Sequence, residues 1–453
     1  AAEGAWDGTS VDTAWYDNNT AAAEFEISTP AELAGLAKLV TDGTQVFTGK
    51  TVNLTKDLDM GGHEWAGIGE NTPYSSSKKS FAGTFNGNYH VIKNFTMKED
   101  KSVGLFRGLK AGGAVKNLGI DNASFKAGNA MTYYAGAVVG NMLGSSTVGA
   151  LVENCWTTPR VTVTADNDSA AIGGIVGQTS AYKDTIQGCV NNASVAGGRY
   201  AGGIVGKQSA TVNNCCNAGT VKCGKLSNCY AGGIIGYTIA SNAKYNNCYN
   251  TGSVIHPLAS QSSSGAGGIA CGSGSSVFTN CYYLEVSASG LYGGKENAGI
   301  IAKTSAQMQA LAGDLNNEQA VDYNGTQVDV WTSSPAQNNG WPILYWQKAE
   351  SLGIYVVEDV YIKKAPAKTT YGEGQAFEAD GMEIGIRYTD GTEITAYAYA
   401  MTPALGTPLT LADNQIAMSA GGRTVYQPIT VLQANAIAVG NPPNKTAYII
   451  NDT

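Results

Sequence analysis

Short apolar runs separated by Gly and Asn recur along the middle of the chain at a nearly constant spacing. One motif, Gly-Gly followed by two apolar residues and Gly, begins at Gly173, Gly202 and Gly232, with variants at Gly136 and Gly267. A second motif ends in Cys and recurs between these copies, which places cysteines at positions 155, 189, 215, 248 and 281. The runs are short and show no helical period, so the pattern predicts β-strands.

The cysteine recurs every 26 to 34 residues, and a period of this length is typical of solenoid proteins. One turn of a parallel β-helix fits the period, with a loop of variable length absorbing the differences. Equivalent residues in successive turns would then stack about 4.8 Å apart. We therefore predict an all-β chain built on a right-handed parallel β-helix. Cysteines would form an inward column, asparagines would lie at a bend, and Gly-Gly pairs would allow close backbone approach.

These motifs resemble a known repeat family. The Gly-Gly motif followed by Asn-Cys-x-Asn-x-Gly-x-Val, as in residues 214–221 and 247–254, is similar to the GLUG repeat of bacterial surface proteins. The resemblance covers residues 80–285. It implies a scaffold that occurs in adhesin-like proteins and near immunoglobulin A-specific metallopeptidases, and it bears on architecture rather than on activity.

The first 44 residues are predicted to form an N-terminal strand and a capping helix. Thr29 suits an N-cap, Pro30 the first helical position, and Glu32 the positive end of the helix dipole. Apolar residues at helical spacing between positions 33 and 40 give this segment one buried face. The helix would cover the open end of the coil, which we predict to extend over residues 45–285.

Three further segments are predicted after the coil. Residues 286–350 resemble the closing segment of GLUG-type coils, in which Trp331, Trp341 and Trp346 would seal the last turn. Residues 351–434 combine short strands with an Asp-Gly turn and resemble a group-3 bacterial Ig-like domain, which is a β-sandwich. Residues 435–453 repeat the opening of that domain, so we expect a second, truncated copy and a longer parent protein.

Composition fits a secreted solenoid. The chain has 58 glycines, only 14% charged residues and a net charge of −8, and this acidity argues against a nucleic-acid partner. It has no apolar run of about 18 residues, so we expect no membrane insertion. Its first residues, Ala-Ala-Glu, resemble a mature end left after cleavage of a leader. We expect an extracellular monomer; a cytoplasmic origin is the alternative.

Cysteine usage favours packing over metal or redox chemistry. Five of the nine cysteines belong to the repeat column, where each takes the place of an apolar residue. The chain has no closely spaced cysteine pair of the zinc-binding type, so we expect neither a metal nor another cofactor. Cys223 and Cys229 lie outside the column and could pair across a loop. Asp166 and Asp168 are a weak calcium signal, because their loop lacks the Gly and distal Glu of a calcium loop.

The sequence shows no catalytic constellation. No Asp or Glu occurs between Asp184 and Glu285, so the central turns cannot supply the paired carboxylates of a glycosidase. Asp57 and Asp59 could form such a pair on one strand face, although solvated carboxylates are the plainer interpretation. His63-Glu64 begins like a zinc-protease motif but lacks the second histidine. We therefore predict that this chain is not an enzyme, whatever its parent protein does.

Aromatic residues recur beside the corners of the coil. Tyr134, Tyr200 and Tyr230 each precede Ala-Gly and would form an outward stripe if they stack in successive turns. Trp156 and Tyr249 follow column cysteines and should also point outward. Such faces stack on sugars and are enriched at protein interfaces. These five residues are candidate ligand-binding residues; the alternative is that they pack beneath the loops of the coil.

The favoured function is binding. The repeats and the Ig-like resemblance imply a surface-displayed adhesion protein of a Gram-positive, gut-dwelling bacterium, with a host glycan or glycoprotein as partner. A second hypothesis is the non-catalytic region of a larger secreted enzyme that acts on host glycans or immunoglobulin. A third is a β-helix carbohydrase, which requires a groove with two or more carboxylates near Asp57 and Asp59.

Overall fold

Most of the chain forms one parallel coil with a smaller all-β unit after it. The computed structural model describes residues 4–71, 78–97, 101–128, 133–166, 168–225, 228–238, 243–257, 265–272, 276–285, 297–396 and 399–433. Its helices span Ala14–Asp17, Pro30–Asp42, Ser305–Met308, Ala312–Asn316 and Tyr345–Glu350, with a 3₁₀ turn at Asn338–Gly340. In this part of the chain, none of the helices has the length and apolar character needed to cross a bilayer.

A full turn of the coil contains up to five short strands, and each strand pairs in parallel with its equivalents in the turns before and after it. The strands therefore form five columns. The first column contains Glu24–Ile27, Thr51–Leu54, the beginnings of Thr84–Met97 and Ala114–Ala127, Leu151–Glu153, Thr185–Gln187, Thr211–Asn213, Lys244–Asn246 and Val277–Thr279. The second contains Leu58–Trp65, the continuation of the two long strands, Trp156–Thr157, Val190–Asn191, Cys216–Asn217, Tyr249–Asn250, Cys281–Leu284 and Ile300–Lys303.

The remaining three columns complete each turn. The third contains the ends of the long strands, Thr162–Ala165, Ser194–Gly197, Val221–Lys222 and Val254–Ile255. The fourth contains Ser102–Val103, Tyr134–Gly136, Ala171–Gly173, Tyr200–Gly202, Tyr230–Gly232 and Gly265–Gly267. The fifth contains Phe106–Lys110, Val139–Leu143, Val176–Thr179, Val205–Gln208 and Ile235–Thr238. This is the predicted parallel β-helix.

The bend between the first and second columns explains the Asn-Cys motif. The residue before each cysteine adopts a left-handed backbone conformation, which asparagine and glycine tolerate best. These bend residues have φ of 50–55° at Asn117, Asn154, Asn214, Asn247 and Asn280, and of 63° at Gly188. The cysteine that follows points into the core, and all five column cysteines are fully buried. The sequence prediction of an inward cysteine column is confirmed.

Three of the Gly-Gly pairs lie against a buried asparagine of the second column. The second glycine and the asparagine face each other as Gly174 with Asn191, Gly203 with Asn217, and Gly233 with Asn250. A Cβ atom on any of these glycines would lie 2.2–2.4 Å from the asparagine Cγ. None of the three has a left-handed φ, so it is space rather than backbone conformation that requires glycine. The Gly-Gly and Asn-x-Gly motifs are therefore two sides of one contact.

The buried thiols give the first testable prediction. Seven cysteines are free and buried, and Cys223 and Cys229 form a disulfide with sulfurs 2.18 Å apart. Burial raises the pKa of the Cys155, Cys215 and Cys281 thiols; it acts in the same direction on Cys189 and Cys248, but hydrogen bonds from neighbouring thiols leave the pKa of these two below the ordinary value. Because all five thiols are fully buried, a reagent cannot reach them in the native protein. We expect a maleimide to label no thiol of the native protein and all seven after denaturation in guanidinium chloride, as counted by intact-mass spectrometry.

A positive control for this labelling experiment is Tyr182→Cys, because Tyr182 is 56% exposed in a loop of the coil. That variant should gain one rapidly labelled thiol in the native state. Rapid labelling of the unmodified protein would show that the column opens and would contradict the packing described above.

The parallel pairing extends beyond the predicted 45–285 at both ends. Glu24–Ile27 already pairs with Thr51–Leu54, and Ile300–Lys303 pairs with Cys281–Leu284. The predicted helix is present as Pro30–Asp42, with a capping box between Thr29 and Glu32. Its apolar face joins the core of the coil. The helix separates these first two paired strands in the sequence, so the strand pattern did not show that the parallel pairing begins before residue 45.

The predicted placement is wrong for two of the three C-terminal tryptophans, Trp331 and Trp346. Residues 304–352 do not close only the last turn but fold back along the second column. Trp346 donates its indole N–H to Gly188 O at 3.0 Å, and Trp331 donates to Asn214 Oδ1 at 3.2 Å. These contacts lie several turns before the end of the coil. Trp331 and Trp346 pack along the side of the coil, because the large outward-facing residues of the second column provide an apolar surface there.

Residues 351–433 form a separate small core. Its strands are Val357–Lys364, Thr370–Gly372, Glu383–Tyr388, Glu393–Thr395, Ala400–Thr402, Gln415–Ala420, Arg423–Pro428 and Thr430–Leu432. They make two three-stranded antiparallel sheets and one parallel pair around a core of apolar side chains. The Ig-like assignment of 351–434 stays a prediction. The predicted second copy at 435–453 lies outside the described residues.

Candidate binding surfaces on the coil

Two of the predicted tyrosines form the centre of an aromatic and basic patch. Tyr200 and Tyr230 are register neighbours in the fourth column, and their rings stack with centroids 5.7 Å apart. Tyr237 in the fifth column packs against both, at 4.9 and 4.8 Å. The guanidinium of Arg199 and the ammonium of Lys207 lie over the Tyr200 ring at 5.4 and 5.3 Å. We call these five residues the aromatic patch.

The electrostatics of the aromatic patch favour an anionic or π-rich ligand. All five side chains are half-buried, and burial raises the pKa of Tyr200 and lowers that of Lys207, which the charge of Arg199 lowers further. Among the described residues no carboxylate pairs with either cation. Arg199 Nε is buried and has no hydrogen-bond partner in that part of the chain. An unpaired buried donor beside stacked rings is a candidate ligand contact.

The third predicted tyrosine does not join the aromatic patch. Tyr134 occupies the same column, but Ala171 lies in the turn between Tyr134 and Tyr200. Two turns separate the rings, which is about 9.6 Å at the usual strand spacing. The predicted stripe is therefore interrupted. The repeat position of the tyrosines identified Tyr200 and Tyr230 but not Tyr237, Arg199 or Lys207. Lys207 and Tyr237 are in register in the fifth column. Their equivalent places, directly after the Gly-Gly motif, were the sequence signal that could have identified them.

Trp156 and Tyr249 are removed from the candidate ligand-binding set. They leave the coil on its outer side as predicted, yet they are only 1% and 3% exposed. The Trp156 ring packs against Trp346 at 5.3 Å, and Tyr249 donates its hydroxyl to Pro342 O and contacts the Trp331 ring. Both side chains anchor the returning C-terminal segment. Their role is packing, and the cover is that segment rather than the loops of the coil.

Asp57 and Asp59, the two carboxylates considered as a catalytic pair, each have their own hydrogen-bond partners. Asp57 accepts hydrogen bonds from the His90 ring and the Val91 N–H, at 3.1 and 3.0 Å. Asp59 lines a cavity of about 480 Å³ together with Arg160, and the described lining contains no second carboxylate. Burial alone would raise the pKa of Asp59, but hydrogen bonds from Asn94 and a backbone N–H leave it below the ordinary value. This cavity does not provide the pair that a carbohydrase requires.

A larger groove was not anticipated from the sequence. It has a volume of about 760 Å³ and lies between the first-column bend of the coil and residues 319–324 of the returning segment. Asparagines of the bend line one side, and Tyr323, Tyr345 and Trp346 line the other. We call it the lateral groove. No local motif signals it, because its two walls lie about 100 to 260 residues apart in the chain.

Comparison with known proteins supports the fold. A crystal structure of a candidate immunoglobulin A1 protease from Bacteroides ovatus superposes with a TM-score of 0.51 at 24% identity, covering 71% of this chain and 92% of that one. Halomucin of Haloquadratum walsbyi (strain DSM 16790 / HBSQ001) is 27% identical over 237 residues, 45% of this chain. That match spans only 2% of Halomucin. No family model matches the chain.

Proposed function

We propose that this chain is an extracellular bacterial binding module that contacts a host glycan or glycoprotein through the aromatic patch. The observation that carries the proposal is the stack of Tyr200 and Tyr230 with two cations that have no carboxylate partner in the described residues. Aromatic rings stack on sugar faces, and the cations suit an acidic sugar. The GLUG and Ig-like resemblances and the similarity to Halomucin support a surface location.

The test is a glycan array with mucin and immunoglobulin as further probes, comparing the full chain with a Tyr200→Ala, Tyr230→Ala double variant. We expect the variant to bind acidic glycans about five- to 150-fold more weakly, because each of the two rings removed contributes about 0.5–1.5 kcal/mol. Thermal unfolding of both proteins would show that the loss is not a loss of fold.

Tyr182→Ala is the matched control for the double variant. Tyr182 is exposed and has a lysine over its ring at 5.7 Å, but it lies outside the aromatic patch. Its replacement should leave binding unchanged. Full binding by the double variant would move the site elsewhere on the chain, and absence of binding by every form would favour a spacer scaffold.

A second candidate is the non-catalytic region of a larger secreted enzyme. The similarity to a candidate immunoglobulin A1 protease from Bacteroides ovatus favours it, since that structure is matched over 92% of its length. The discriminating observation is whether a further domain or an anchor signal is encoded in the same gene as this chain. A hydrolase domain there would favour the enzyme, and a cell-surface anchor signal would favour adhesion.

A further inference from the structure

The lateral groove is lined mainly by amide side chains on the coil side. Six Asn and Gln side chains of the coil contribute to it, and those of Asn86, Asn117 and Asn154 in three successive turns are hydrogen-bonded in a ladder. Asn117 donates to Asn86 Oδ1 at 3.0 Å, and Asn154 donates to Asn117 Oδ1 at 3.2 Å. The ladder holds the amides in fixed orientations, so that little side-chain entropy remains to be lost on binding.

The ladder does not use all the hydrogen-bonding capacity of these amides. A primary amide has two donors and two acceptor sites, and the ladder uses one of each at Asn117. On the opposite side, Gln319 accepts a hydrogen bond from Asn214 and keeps both N–H groups of its own amide. At Asn117 a ligand in the groove therefore meets one N–H group and one acceptor site that the ladder does not use, whereas both N–H groups and both acceptor sites of Asn86 are engaged. Hydroxyl groups, which both donate and accept, match this arrangement.

Aromatic rings supply the second feature of the groove. Tyr89 and Tyr345 are half-buried and line it from opposite sides. Their orientation is fixed, because Tyr89 stacks on Trp346 at 5.7 Å and Tyr345 packs edge-on against Tyr323 at 5.2 Å. Preordered rings among amides offer stacking and hydrogen bonding together, which is what a pyranose ring requires. The volume lies within the range of small-ligand sites.

The charges in the groove select against an acidic ligand. Its lining holds three carboxylates, of Glu153, Asp322 and Glu350, and one ammonium, of Lys116. Lys116 is paired with Glu153 at 3.1 Å, so the excess charge is negative. In this respect the lateral groove is the opposite of the aromatic patch, where the charged side chains are cationic.

We infer that the lateral groove is a second binding site, and that it takes a neutral oligosaccharide lying along the amide ladder. The inference rests on the proposed function in taking the ligand to be a glycan, but it concerns different residues and an opposite charge preference. The polar wall suits a short chain of sugar rings, because the amides of Asn86, Asn117 and Asn154 follow one another at the turn spacing of the coil, about 4.8 Å, as far as Gly188.

The experiment measures binding of the full chain to neutral probes by isothermal titration calorimetry. The probes are β-1,4-linked tetrasaccharides of glucose and of N-acetylglucosamine and a mannose oligosaccharide, with sialyllactose as the acidic comparison. The variants are Gln319→Ala and Tyr345→Ala. We expect each variant to weaken neutral binding by about five- to tenfold, the loss of one hydrogen-bonding group or one ring.

Gln327→Ala is the matched control, because Gln327 is exposed on the adjoining strand Thr326–Asp329 and does not line the groove. It removes the same side chain from the same hairpin and should leave the affinity within about twofold. If Tyr345→Ala lowers the melting temperature, the two glutamine variants alone decide the question.

Three results would overturn the inference. One is that no neutral oligosaccharide binds; the second is that Gln319→Ala and Gln327→Ala bind equally well; the third is that a peptide competes for the groove and the sugars do not. Neutral binding that is lost only in the Tyr200→Ala, Tyr230→Ala variant would assign the sugar to the aromatic patch. In that case the proposed function stands while the groove is rejected.

Discussion

Replacing Asn217 with leucine is expected to lower the free energy of unfolding by roughly 4 kcal/mol. The Asn217 amide donates to Asn250 Oδ1 at 2.7 Å and to Gly219 O at 2.9 Å, and it accepts from Asn191 Nδ2 at 2.7 Å and from the Gly219 N–H. Leucine can replace none of these bonds. Each buried polar group left without a partner costs about 1–3 kcal/mol. Chemical denaturation followed by circular dichroism measures the change.

Asn213→Ala is the control for this variant, since it removes an asparagine from the same turn. Asn213 is half-buried, and its side chain accepts one hydrogen bond from the side chain of Asn246 in the next turn, at 2.8 Å. Water can replace that bond, so its loss should cost about 1 kcal/mol. Equal destabilisation by the two variants would show that the buried asparagines of the second column are no more important than the half-buried asparagines of the first column.

Adding one methyl group at Gly203 is expected to destabilise the coil by roughly 3 kcal/mol. The Cβ of alanine would lie 2.0 Å from Gly233 O and 2.4 Å from Asn217 Cγ. Both neighbours are held, since Asn217 belongs to the hydrogen-bonded column and Gly233 to the next turn. The clash cannot be relieved without moving that turn, and the expected result is a lower denaturation midpoint for Gly203→Ala.

Gly265→Ala tests whether the effect comes from the close contact. Gly265 lies in the fourth column, in the strand Gly265–Gly267, and a Cβ there would meet nothing within 4 Å. This variant should be neutral or slightly stabilising, by up to about 1 kcal/mol, because alanine restricts the unfolded chain. A Gly203→Ala protein as stable as the Gly265→Ala protein would contradict the geometry.

The Asn217→Leu and Gly203→Ala variants probe the two sides of one contact. Other turns of the chain carry other residues at these two positions. In the turn before Asn191, the equivalent position holds Thr157, which donates its hydroxyl to Asn191 Oδ1 at 2.7 Å. Ala137 occupies the second glycine position of the earliest Gly-Gly motif, and its N–H bonds to Gly174 O in the next turn. In the last Gly-Gly motif the second glycine, Gly268, faces Tyr283, which is in register with Asn250, and a Cβ there would lie 2.3 Å from Tyr283 Cγ.

Local chemistry was sufficient to predict the coil because every turn repeats it. A left-handed bend selects Asn or Gly, an inward position selects a small apolar thiol, and a close contact selects Gly. The sequence therefore identified the strands, the cysteine column and the helix that begins after Thr29. The handedness of the coil and the Ig-like assignment of 351–434 remain predictions.

The candidate site was predicted only in part. Repeat spacing placed Tyr200 and Tyr230 together because register neighbours in a parallel coil are forced to stack. It placed Trp156 and Tyr249 on the outward side of the coil but left open whether they are exposed to solvent. An outward residue is exposed only if no other segment covers it, and the covering segment begins about 150 residues after Trp156 in the chain.

The repeat therefore specified the scaffold, since each of its constraints acts between neighbouring turns that carry the same residues. The surfaces depended on contacts between distant parts of the chain. Residues 304–352 bury one aromatic row, and in doing so they form the second wall of the lateral groove. Such contacts do not recur with a period in the sequence, because they depend on complementary shape between distant segments. The three-dimensional fold was therefore needed to show which aromatic residues remain available for binding.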